Sequence, residues 1–312
     1  MGPTIHKELK IRTPIVLALL VGVVLGCDDP GPATLKQLEK TAEESPDDPE
    51  ALFFLGTKYL KLGRTQEGIE QLERFVQLRP ESVNGRINLA YGYRDLKRYE
   101  EARNQLEKAI AIEPENTSAH LNLGNVFTDL GLSEKAIAAY QRCITLDPAY
   151  VTGWFALGTY HRDLGDYQRS VELYKKALEI DPDNEDARYG LSFAYLDLEE
   201  FELSISESER VLELNPSNVD AYTNIGGAHY KLGEFEEALE AFRQAVKIDS
   251  NFEPAYLGLA ESYQKLGKNI AAIGAYRNAL RIDPDDEETR AELDALLAEE
   301  KISGSTPDVG DK

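Results

Sequence analysis

The chain has 312 residues, 42% of them hydrophobic, which is enough to bury substantial cores and excludes disorder throughout. With 34 Lys and Arg against 56 Asp and Glu the formal net charge is -22, so nucleic-acid phosphates and anionic lipid head groups are both repelled. Two cysteines, Cys27 and Cys143, are too few for a disulfide framework and badly placed for a metal cage.

In chain order, residues 1–26 come first, with Lys7, Lys10 and Arg12 ahead of an uncharged run from Pro14 to Gly26. That run is shorter than the roughly 18 residues that argue for a spanning helix, and a basic segment before an apolar one of this length reads as an export signal. The run ends Val24-Leu25-Gly26-Cys27 and resembles the lipobox of bacterial lipoproteins, which implies cleavage before Cys27 and lipidation of its thiol. Two other readings of the same residues are a signal with a chance cysteine and an uncleaved anchor with Gly22 and Gly26 on one face. Residues 27–32 form a short tether reaching at most roughly 20 Å. The expected location is the bacterial cell envelope, lipid-anchored and facing the periplasm or extracytoplasmic space.

Beyond the tether, Pro46, Pro80, Pro114, Pro148, Pro182 and Pro216 recur every 34 residues, with Ser250 and Pro284 in the next two slots. Aligned on this period, residues 49–286 divide into seven units: 49–82, 83–116, 117–150, 151–184, 185–218, 219–252 and 253–286. The fourteenth position is Leu in every unit, from Leu62 to Leu266, and the eighth and twentieth are small. Small residues let two helices approach closely. Gly63, Gly131, Gly165, Gly233 and Gly267 fall just past the first helical pattern, where a left-handed cap is wanted. Each unit reads as helix, Gly turn, helix, Pro stop. Residues 33–48 predict an orphan capping helix, 287–301 a C-terminal capping helix and 302–312 a disordered tail.

These features resemble the tetratricopeptide repeat family, shown well by Trp154, Leu157, Gly158, Tyr174, Ala177 and Pro182 of unit four. The resemblance implies an all-α fold, an α-solenoid wound as a right-handed superhelix of helix-turn-helix units. Two units depart from the pattern. Phe75 replaces the small residue of most other copies, which predicts a widened gap between helices. Unit five has Ser192, Glu199, Ser204 and Ser208 in place of Gly, Gly, Ala and an aromatic, which predicts the softest joint of the array.

Signal, tether, caps and tail take up the residues outside the repeats and leave no room for a catalytic domain, so the chain reads as a non-enzyme. His120, His161 and His229 occupy slots that hold aromatics elsewhere and read as packed rings. Cys143 sits in an Ala slot and reads as a small buried hydrophobe. No catalytic residue, metal site or cofactor is expected, and no nucleic-acid or small-molecule partner.

In the family the first helices line a concave groove that holds an extended or helical peptide, with positions 2, 5, 6, 9, 12 and 13 facing inward. The sixth-position Asn of arrays that bind peptide backbone is matched by Asn88, Asn122 and Asn224, with gaps between them. The basic residues of a carboxylate clamp are absent from positions 5 and 9, where Asn125 is one of the occupants. Phe53, Phe54, Tyr91, Phe155, Tyr189 and Phe193 are placed to seat apolar side chains of a partner, or to pack against the next helix. Asp95, Asp129, Asp163 and Asp197 stand in one row at position 13, in the last helical turn, where the macrodipole disfavours each by ~0.3 to 1 kcal/mol. Either they pair locally, or they form an acidic stripe that selects a basic, partly aromatic segment. The expected function is a membrane-tethered scaffold or adaptor for a protein or peptide partner. The alternatives are a self-assembly module and a non-catalytic specificity subunit of a cell-envelope enzyme or a secretion or pilus assembly complex.

Overall fold

The computed structural model describes residues 34–303; the expected signal, Cys27, the tether and most of the expected tail lie outside these residues. The described residues form helices and no strands. They divide into two compact units. The first contains α1 (Leu35–Glu44), α2 (Pro49–Lys61), α3 (Thr65–Leu78), α4 (Val83–Asp95), α5 (Tyr99–Ile112), α6 (Thr117–Asp129), α7 (Ser133–Leu146) and α8 (Val151–Asp163). The second contains α9 (Tyr167–Ile180), α10 (Glu185–Asp197), α11 (Phe201–Leu214), α12 (Val219–Leu232), α13 (Phe235–Ile248), α14 (Glu253–Lys265), α15 (Asn269–Ile282) and α16 (Glu287–Ser303).

First helices begin at Pro49, Val83, Thr117, Val151, Glu185, Val219 and Glu253, a constant step of 34 residues. Within each unit every helix packs on the next, as in an α-solenoid, and first helices of adjacent repeats also meet, α2 with α4, α4 with α6 and α6 with α8. α10 and α12, then α12 and α14, do the same in the second unit. Closer approach of the first helices puts them on the inside of each bend. The final helix runs two residues past the expected cap, to Ser303.

Side chains close the helix ends. Asp48, Ser82, Asn116, Asn184 and Asn218 each cap the first helix that follows by accepting a backbone N–H. The position-4 side chain then ties down the preceding Pro turn. Arg86 Nη2 donates to Pro80 O at 2.6 Å, His120 Nε2 to Pro114 O at 3.0 Å and Trp154 Nε1 to Pro148 O at 2.9 Å. Arg188 and Arg290 donate to Pro182 and Pro284 in the same way. Three chemically different residue types do one job because each carries an N–H at the right reach.

Between the helices of each pair the backbone turns through a left-handed residue. Five are the expected glycines, with φ from 67 to 81°. Lys97 (φ 58°) and Glu199 (φ 60°) hold the same conformation without a glycine, so the turn is imposed by the packing of the two helices and not by local preference.

Helix approach is set by matched volumes. Phe75 is matched by Gly85, which faces it: a methyl group at Gly85 would overlap the ring. Cys143 is matched the same way by Gly153, whose added Cβ would lie 2.9 Å from Cys143 Sγ. Ala109, Ala177 and Ala245 occupy the Phe75 slot elsewhere, and there the facing residues are Ala119, Ala187 and Ala221's counterpart Ala255. The Ser204 and Ser208 hydroxyls of repeat five are fully buried without a hydrogen-bond partner, as is that of Ser170 in repeat four.

Two outcomes follow. Gly85→Ala should lower stability by about 2 kcal/mol, although Gly→Ala in a helix ordinarily gains up to about 1 kcal/mol. On a Phe75→Ala background the same change should cost far less, and a thermal-denaturation cycle reads the difference; additivity would disprove the matching. Lys97→Gly and Glu199→Gly should each stabilise by about 1 kcal/mol, measured by chemical denaturation, because relief of the left-handed strain exceeds the entropy that glycine adds to the unfolded chain.

Candidate peptide-binding groove

The inner face of the first unit is built on α2, α4, α6 and α8. Phe53 and Phe54 are half-buried; the Phe53 ring centroid lies 5.7 Å from that of Phe54 and 5.1 Å from that of Phe75. Tyr91 and Phe155 are also half-buried. Burial first, then the neighbouring Asp95 carboxylate, pushes the Tyr91 phenol above its ordinary range, so it stays a neutral donor at physiological pH. In the second unit Tyr189 is half-buried and its ring centroid is 6.3 Å from that of Phe193. Phe193 itself is only 7% exposed and belongs to the core.

The candidate asparagines require a correction. Asn88, Asn125 and Asn224 are buried and bonded inside the stack, so their amides do not face an open groove. Asn88 Nδ2 donates to Thr57 Oγ1 at 3.1 Å, and Asn224 Nδ2 donates to Ser192 Oγ at 3.1 Å. Asn125 Oδ1 accepts from the Tyr140 hydroxyl at 2.7 Å. Asn122 is half-buried and returns its amide to Ser118 O at 2.8 Å.

The pattern has a steric cause. Where position 24 is aromatic (Tyr140, Tyr174, Phe242), the sixth position of the next repeat is small: Ala156, Gly190 and Gly258. An added Cβ at Gly190 would lie 2.6 Å from Tyr174 Cζ, and one at Gly258 would overlap the Phe242 ring. Where position 24 is Leu72, Leu106 or Ser208, the next sixth position is Asn88, Asn122 or Asn224. The amide fills space that a ring fills elsewhere. This signal was present in the sequence as a covariation between positions 24 and 6.

The position-13 acids sit in different surroundings. Asp95 is exposed and accepts the Thr65 hydroxyl. Asp129 is held by the Arg94 guanidinium of the preceding repeat, with Nη2 to Oδ1 at 3.3 Å and the side chains only 13% and 20% exposed. Asp163 lies 3.3 Å from Arg162 and is half exposed, and Asp197 is half-buried in the second unit. In the first unit, local pairing accounts for the row. Thr65, a position-17 residue, was not visible as a partner from periodicity alone.

Reactive groups are quiet. Burial, with Asp147 nearby, pushes the Cys143 thiol up to about 12, so it stays protonated and unreactive. His229 Nδ1 pairs with Glu234 Oε2 at 2.7 Å. Among the described residues no group of three or more His, Cys, Asp or Glu is placed to hold a metal ion, and no helix is long and apolar enough to cross a membrane.

Sequence models of known repeats match this geometry. A TPR repeat model matches residues 90–131, 160–199 and 226–267, and tetratricopeptide repeat models match 117–150, 185–218 and 253–286. A model of anaphase-promoting complex, cyclosome, subunit 3 matches residues 35–109. No curated protein matches the chain. Among solved structures, the APC/C hetero-tetramer Cut9-Hcn1 is similar at TM-score 0.63 and 19% identity, over 84% of this chain and 52% of that one. Yeast Tom70 is similar at TM-score 0.63 and 16% identity, over 86% and 59%. PilW, a type IV pilus biogenesis factor, is similar at TM-score 0.62 and 20% identity, over 68% and 98%. The chain spans about half the length of the first of these, and at such identities the likeness is one of fold. Helix pairs at a 34-residue step, small residues matched against rings where they cross, and repeat models matching most of the array together make this a chain of tetratricopeptide repeats.

Proposed function

We propose that this chain is a non-catalytic scaffold, tethered to a bacterial envelope membrane through Cys27 and facing the extracytoplasmic space, that holds a protein or peptide segment against its first helices. One observation carries the binding reading: Phe53, Phe54, Tyr91 and Phe155 are only partly buried and stand on the inner helices α2, α4 and α8. Half-exposed aromatics on a rigid backbone offer apolar contact at low entropic cost. The partner is therefore a segment recognised by its apolar side chains, with basic residues contributing beside the exposed Asp95 and Asp163 and not along a continuous acidic stripe. Support for the tether is the basic, apolar, Cys-terminated order of residues 7–27.

Isothermal titration with a panel of apolar and basic peptides tests the groove. Tyr91→Ala with Phe155→Ala should weaken the best binder at least about tenfold, whereas Asn at 95, 129, 163 and 197 together should change affinity less than about threefold. The reverse order would reinstate the acidic stripe. For the tether, mass spectrometry of the protein from its native membrane should find a mature chain beginning at a lipid-modified Cys27; an N-terminus retaining residues 1–26 would refute it.

A further inference from the structure

Positions 18, 22, 25 and 29 of each repeat fall in one stripe of the second helix, since spacings of four, seven and eleven residues return to the same helical face. In α11 this stripe is Glu202, Ser206, Glu209 and Glu213; in α15 it is Ile270, Gly274, Arg277 and Arg281. All eight are exposed. α15 is the one helix among those described that contains no carboxylate, in a chain of net charge -22. Arg277 and Arg281 have no ion-pair partner among the described residues, whereas Arg169, Arg210 and Arg243 on neighbouring second helices each pair with a Glu three residues away. Arg281 makes only a hydrogen bond, to Ser250 O at 3.3 Å.

Two exposed aliphatic side chains stand within the first turn of second helices at positions that are otherwise polar or small: Leu203 on α11, 44% exposed, and Ile270 on α15, 62% exposed. They fall on the two helices of opposite charge, Ile270 at position 18 and Leu203 at position 19 of their repeats. Gly274, with open space around its α-carbon, lets another backbone come close, although mid-helix glycine costs about 1 kcal/mol relative to Ala.

We propose that α15 of one copy of this chain docks alongside α11 of a second copy, the helices parallel and in register. Arg277 then meets Glu209 and Arg281 meets Glu213. A second copy is the occupant because the chain itself carries the complementary charges at the same two positions, Glu209 and Glu213 on α11 against Arg277 and Arg281 on α15. Pairing of α15 with α15 would bring four guanidinium groups together. At physiological salt, overall repulsion between copies is screened beyond about 8 Å while contacts in the interface are not. The exposed Arg210–Glu213 pair is weak and yields Glu213 at little cost.

Sedimentation velocity of the full-length chain in one detergent and at one salt concentration tests this. The wild type should self-associate reversibly. Arg277→Glu with Arg281→Glu, and separately Glu209→Arg with Glu213→Arg, should each weaken association at least about tenfold, while an equimolar mixture of the two variants, which carries exchanged charges, should restore it. Circular dichroism checks folding, and if either variant loses helix, Arg277→Ala with Arg281→Ala should weaken association in its place. A wild type monomeric at every concentration, folded variants that associate as the wild type does, or a mixture that stays dissociated would each overturn the proposal. So would Arg277 and Arg281 acting only in binding of anionic lipid vesicles while the chain stays monomeric.

Discussion

The distance at which consecutive helices cross is the constraint on which the rest of this structure depends. Many crossings pair a bulky side chain with a small one, between repeats as well as within them. Phe75 with Gly85, Tyr174 with Gly190 and Phe242 with Gly258 are separate solutions to one packing problem. Interiors packed at crystal density cannot absorb a side chain by leaving a void or by overlap, so a change on one helix is answered on its neighbour. Nearest-neighbour matching of this kind is what permits a linear array: each repeat satisfies the next and needs no distant contact.

The same constraint determines what the inner face can offer a partner. When position 24 is not aromatic, the vacated space is taken by Asn88, Asn122 or Asn224, and burial then obliges the amide to find an internal acceptor. Residue types used for recognition elsewhere in the family are thereby spent on packing in this chain. The inner-face aromatics Phe53 and Phe54 pack partly on one another and on Phe75 and are only partly buried.

Charge follows a different logic. Most carboxylates are exposed and many pair with cations three or four residues away, contacts worth little individually. The more enclosed pairs, Arg94 with Asp129 and Arg188 with Glu207, bridge different helices and help to hold them in register. Against this background the carboxylate-free α15 is an exception among the described helices.

Periodicity alone determined the helix pairs, their 34-residue step, five of the seven left-handed turns and the all-α class, because each depends on residues close in sequence: a cap, a glycine, an apolar stripe. It also placed the candidate groove residues on the first helix of each pair. What it did not decide was which of them point to solvent. Asn88, Asn125, Phe193 and Asn224 are interior, and Asp129 is neutralised by an arginine 35 residues away. Lys97 and Glu199 adopt the glycine conformation because packing of the helices on either side outweighs the local cost. These outcomes belong to the tertiary structure, since each turns on the volume and charge of a neighbour that the period brings alongside but whose fit depends on the two side chains together.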